Sequence, residues 1–182
     1  MRRSLDEALV QLRQHLEDWT SGGGRPGVRI FVYPPEWEPR MLERFPVFAQ
    51  EMAGKIPIAL VDVGQGVLME IERRKGFTER LSELERHGSE RVLHDLGEVA
   101  HRYLTKLLAM PLDAPARVRL LVNTGSLGAF VSYSAITNAV HGDGPAITIA
   151  VPTIIAFPGE GDERQLNLLR LRADTNYRVP RI

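Results

Sequence analysis

The sequence predicts an α/β fold, with a mostly parallel sheet of about four to five strands carrying helices on both faces in three layers. Three observations point there. Short runs rich in β-branched and aromatic residues recur along the chain, at Val28–Tyr33, Pro57–Val63, Arg117–Val122 and Thr153–Phe157, and each reads as a strand. Between them lie stretches with apolar residues three and four apart, the spacing of an amphipathic helix. The strand runs are largely apolar rather than alternating, as expected of strands buried on both faces. The architecture is Rossmann-like or P-loop-like, and residues 1–182 read as one domain on which 1–21 pack as an amphipathic helix.

Taken in order, Ser4 followed by Glu7 forms a capping box, and Leu5, Leu9, Leu12, Leu16 and Trp19 share one helical face. Gly22–Gly24 and Pro26 stop this helix. The first strand closes on Pro34-Pro35. Residues 38–54 form the next helix, and Pro46 is expected to kink or split it, because an interior proline lacks the N–H and crowds the preceding turn. The second strand runs into Gly64-x-Gly66. From Val67 to about Met110 the pattern is helical with breaks at Gly76 and Gly88, and Val92, Leu96, Val99, Tyr103 and Leu107 line one face. The third strand leads to Asn123-Thr124-Gly125-Ser126 and a short helix over 129–140. The fourth ends at Pro158-Gly159. Leu166-x-Leu168 supplies a fifth strand before an Arg-rich tail.

Composition narrows the function classes. The chain has 23 Lys plus Arg against 23 Asp plus Glu, so its net charge is zero, which argues against direct nucleic-acid binding and against a membrane-surface role. The absence of cysteine removes disulfides, thiol nucleophiles and zinc–thiolate sites together. The N-terminus is charged throughout, unlike a signal peptide, and no apolar run approaches the ~20 residues of a membrane span. These features predict a cytoplasmic protein.

Ligands of open parallel sheets bind beyond the carboxyl ends of the strands. Those ends bring Asp62, Asn123, Thr124, Gly125, Ser126 and Gly159 to one rim, a candidate crevice for a small ligand or nucleotide. The same residue types also serve turns and caps whatever the function. Gly64-x-Gly66 has Met69 where a dinucleotide fingerprint needs Gly or Ala, and Gly125-x-x-Gly128 lacks the lysine of a functional P-loop. His87, His94 and His101 recur every seven residues, which sets neighbours ~10 Å apart along a helix and too far to share a metal. His141-x-Asp143 has no third ligand, and His15 stands alone. No serine-hydrolase, zinc-protease or deaminase motif occurs. The residues therefore give no positive sign of catalysis, leaving open only a site assembled in the fold, and no metal or cofactor is expected. Trp37, Tyr177, Arg178 and Arg181 are candidate partner-binding residues, since aromatics and arginines dominate interface hot spots. Arg164, Arg170 and Arg172 belong to the same basic stretch, although arginine supplies most of the basic residues everywhere in the chain.

The order of these features resembles the BrxB family of bacteriophage-exclusion (BREX) defence systems. The resemblance rests on the amphipathic N-terminal helix, the Tyr33-Pro34 strand end, Phe45-Pro46 and Val61-Asp62-Val63. It continues through Asn123-Thr124-Gly125, Tyr133, Asn138, Pro152, and Phe157-Pro158-Gly159. Leu166-x-Leu168 and Asn176-Tyr177-Arg178 complete it. It implies a non-catalytic adaptor of an antiphage system, partnered by a PglZ-like protein of the alkaline-phosphatase superfamily and by other BREX components. Self-association stays open. The alternative is a regulatory domain that binds a small ligand or nucleotide in the strand-end crevice.

Overall fold

The computed structural model describes residues 4–76, 79, 82, 86, 89–128, 148–161, 165–168, 172–175 and 182. Its elements are α1 (Leu5–Ser21), β1 (Gly27–Tyr33), a 3-10 turn (Pro35–Trp37), α2 (Glu38–Met52), β2 (Ile58–Asp62) and α3 (Val63–Lys75). There follow α4 (Ser89–Ala109), β3 (Val118–Val122), a second 3-10 turn (Gly125–Leu127), β4 (Pro152–Gly161), β5 (Gln165–Leu168) and β6 (Arg172–Thr175).

Four strands form a parallel sheet in the order β2-β3-β4-β1. Alternation of side chains across each strand sorts the core into two layers. Phe31 and Tyr33 of β1, Leu120 and Val122 of β3, and Ile154 and Ala156 of β4 face α1 and α2. Val28 and Ile30, Leu121, and Ile155 and Phe157 face α3 and α4. Burial on both faces accounts for the continuous apolar runs, and the three-layer α/β expectation holds. Among the described residues no helix is long and apolar enough to cross a membrane.

The capping box forms as expected: Ser4 N–H donates to Glu7 Oε2 at 2.7 Å and Glu7 N–H to Ser4 Oγ at 3.2 Å. Leu5, Leu9, Leu12 and Leu16 bury the inner face of α1, and Arg13 pairs with Glu51 to tie α1 to α2 at 2.5 Å.

Several expectations are corrected. Pro46 does not split α2, which runs unbroken through it. Pro46 is exposed, so its ring crowds no core side chain, while Met41, Phe45, Phe48 and Met52 anchor the buried face. β4 does not end at Pro158-Gly159. Pro158 closes the parallel ladder opposite Tyr33, and Gly159 opens an antiparallel pairing with Leu168 of β5. Part of the expected Arg-rich tail, Arg172–Thr175, is a further antiparallel strand against β5; hairpin hydrogen bonding holds a segment too polar to announce itself. Gly76 ends α3 as expected, at φ 68°, a conformation that only glycine adopts freely. Gly88 and the helix expected over 129–140 lie outside the described residues.

Candidate functional site

The carboxyl ends of β2 and β3 meet at Asp62. Its side chain is the N-cap of α3, accepting from the Gln65 N–H at 2.8 Å, and the same oxygen accepts from Asn123 Nδ2 at 2.9 Å. Asn123 holds φ 58° directly after β3, and asparagine is among the few residues that enter that region at low cost. Its carbonyl then accepts from Ser126 Oγ at 2.7 Å. Thr124 is fully buried and its hydroxyl donates to the carbonyl of Ala156, locking the turn to β4.

This arrangement leaves no space at the first turn of α3. A Cβ on Gly64 would stand 2.3 Å from Ser126 Oγ and 2.6 Å from Asn123 Nδ2. Gly64 is thus a close-approach glycine, and it lets the helix start seat directly under the β3 turn.

Asp62, Asn123, Thr124, Gly125 and Ser126 are therefore brought together, as the strand-end argument expects. Asp62, Asn123 and Ser126 are linked by hydrogen bonds, while Thr124 bonds to β4. Gly159 does not join them as a loop residue, because it is buried within β4 at the start of the hairpin.

Sequence reasoning missed Glu38, the first residue of α2. The Pro35–Trp37 turn lies against β4, and Tyr33 Oη donates to Glu38 Oε2. The other oxygen, Oε1, is buried without a partner. Burial pushes the Glu38 carboxyl above the ordinary carboxylate range; the Tyr33 hydrogen bond opposes that shift and the charge of Asp62 adds to it. The available signal was position alone: Glu38 opens the helix that follows β1, as Asp62 at the end of β2 caps the helix that follows it.

Trp37, a candidate partner-binding residue, sits at the end of the Pro35–Trp37 turn. It is half-buried and packs on the α1/α2 side of the core, held there by the 3-10 turn. Tyr177, Arg178 and Arg181 lie outside the described residues, as do Arg164, Arg170, His87 and His141. Ile182 N–H donates to the Ile30 carbonyl at 3.0 Å, so the last residue adjoins β1. His94 is exposed and His101 partly so. Among the described residues, no group of three or more His, Asp or Glu is placed to hold a metal ion.

On the opposite layer, Arg119 points from β3 into the interior, 1% exposed. Its guanidinium reaches the carbonyls at the end of α4. Tyr103 and Leu107, expected on the core face of α4, stand at its margin, while Ala100, Leu104 and Leu108 take the centre. The Tyr103 ring lies across Gly66 of α3, where an added Cβ would be 2.0 Å from the hydroxyl and 2.6 Å from Cζ.

No family model, curated protein or solved structure matches the chain.

Proposed function

We propose that this chain is a non-catalytic adaptor that works by holding a protein partner. The observation that carries the reading is the closure of the strand-end rim. Asp62 Oδ1, Asn123 Nδ2 and Ser126 Oγ are engaged at the turn and the helix start, and the Thr124 hydroxyl is engaged by the Ala156 carbonyl of β4. A ligand site relies on a few polar groups placed to meet the ligand, whereas these meet one another and β4. The resemblance to the BrxB family names the partner this reading expects, a PglZ-like protein within a BREX-type system.

The test is co-expression of the tagged full chain with the products of its neighbouring genes, followed by size-exclusion chromatography. The adaptor reading expects one stable complex containing the PglZ-like product. A lone, monodisperse chain under those conditions overturns it.

One observation favours a second reading, a small-ligand regulatory domain. Glu38 Oε1 is buried and unpartnered, and its carboxyl is biased toward the protonated form that can donate a hydrogen bond. A thermal-shift series with ATP, ADP and cyclic nucleotides tests it. A saturable rise follows RT ln(1 + [L]/Kd), and the reading requires that rise to diminish in Glu38→Leu, which removes the donor, and to survive in Glu38→Gln, the neutral isostere.

A further inference from the structure

α3 and α4 lie side by side over the sheet, and their outer surfaces enclose a cavity of about 470 Å³. Its lips carry Arg73 and Arg74 from α3 and Arg102 and Lys106 from α4, with Glu70 the lone acid among the described lining residues. Glu70 is engaged by Arg73 at 3.1 Å and by Arg74, and Arg102 reaches Glu98 only at 3.5 Å. Lys106 makes no ion pair among the described residues. The floor is apolar, from Leu107 and the Tyr103 ring. Two exposed methionines also line it: Met69 is 64% exposed and Met110 47% exposed.

We infer that this groove docks an acidic segment of a protein partner that also presents an apolar side chain. The inference rests on the adaptor reading and gives that partner a surface. Excess positive charge calls for an anionic occupant, and complementary charge sets orientation and partner choice at an interface. Exposed methionines lining the groove are a cost in water that a peptide's apolar side chain removes, and methionine adapts its shape to such partners. The Tyr103 hydroxyl, held against Gly66, has no hydrogen-bond partner among the described residues and lines the groove.

A compact phosphate fits less well. Such ions favour backbone N–H groups at helix N-termini, whereas the C-terminal halves of α3 and α4 supply this groove. The cations are spread along two helices rather than converging on one point.

The test uses the full chain and a fluorescein-labelled acidic peptide with glutamates around two leucines and a tryptophan, beside a counterpart in which lysine replaces each glutamate. Fluorescence anisotropy is expected to show saturable binding of the acidic peptide only. Arg73→Glu and Lys106→Glu should each weaken it about tenfold, whereas Arg40→Glu on α2 should not, following the cost of like-charge juxtaposition. Met69→Ser should weaken it without changing its salt dependence. Equal binding of the two peptides overturns the inference, as does full competition by inorganic phosphate, ATP or an oligothymidylate, or indifference to Lys106→Glu. The two readings fail separately. Peptide binding by a chain that forms no complex with its neighbours sinks the adaptor and keeps the groove. A complex formed by a chain that ignores the peptide does the reverse.

Discussion

Arg119 Nη2 donates to the carbonyl oxygen of Met110 at 2.6 Å, so a guanidinium rooted in a central parallel strand closes the C-terminal end of α4. Nη1 reaches Leu108 O at 3.5 Å, and no carboxylate among the described residues pairs with the charge. Burial lowers its pKa, with the nearby Tyr103 acting the other way. The helix C-terminus, which carries partial negative charge, takes the place of an acidic partner. Arg119→Ala should cost about 2–4 kcal/mol in urea unfolding, through a cavity and an orphaned carbonyl. Arg119→Met, which refills the volume, should cost about half as much. An alanine variant as stable as wild type would show that the guanidinium holds nothing.

The Gly66–Tyr103 contact predicts a coupled pair. Gly66→Ala gains helix propensity but drives a methyl into a stiff ring, and the net loss should be about 1–2 kcal/mol. Tyr103→Phe in that background removes the closest atom and should recover part of the loss. A double-mutant cycle measures the coupling; additive effects would mean that α3 and α4 shift apart without penalty.

Glu38 predicts a pH effect of unusual sign. Its carboxyl titrates above the unfolded value of 4.5, so between those two values the folded state binds more protons than the unfolded state and stability falls as pH rises. Glu38→Gln keeps the acceptor for Tyr33 and removes the charge. Its melting temperature should exceed that of wild type at pH 7, and the difference should shrink toward pH 4. A constant difference at all pH values would remove titration as its cause.

His15 works in the opposite direction. Burial, then the charge of Arg29, lowers its pKa below 6.5, with Asp18 partly opposing, and its Nε2 is buried without a partner. Stability from keeping it neutral is complete above pH 6.5 and is lost as pH falls through the window below. Thermal melts from pH 8 to pH 5 should show that loss in wild type and a flatter profile in His15→Gln.

How far the sequence reports the fold depends on which signal each element carries. Apolar runs such as Ile30-Phe31 and Leu120-Leu121 are legible because burial on both faces writes itself into every position. The capping box is legible because Ser4 and Glu7 are local partners. β6 was not, since Arg172–Thr175 is held by backbone pairing to β5 and has no apolar face to display. Pro46 misled because its cost depends on which side of the helix meets water. At the rim, Asp62 and Asn123 were found from strand-end position. Their mutual hydrogen bond, and the seat that Gly64 provides, come from two strands meeting in space. Glu38 was hidden for the same reason, since its environment is made by Tyr33 and the burial that the fold creates.

The parallel pairing of β1 with β4 has a consequence for biosynthesis. Gly27 lies beside Pro152 and Tyr33 beside Pro158, so an early segment waits for a late one before its backbone is satisfied. Among the described strands β1 pairs only with β4, while β2 and β3 can already pair with each other. Such distant contacts slow folding and prolong the exposure of unpaired, aggregation-prone strands. A chain truncated before residue 150 therefore leaves Val28–Tyr33 without the strand that pairs with it and should aggregate more readily than the full chain.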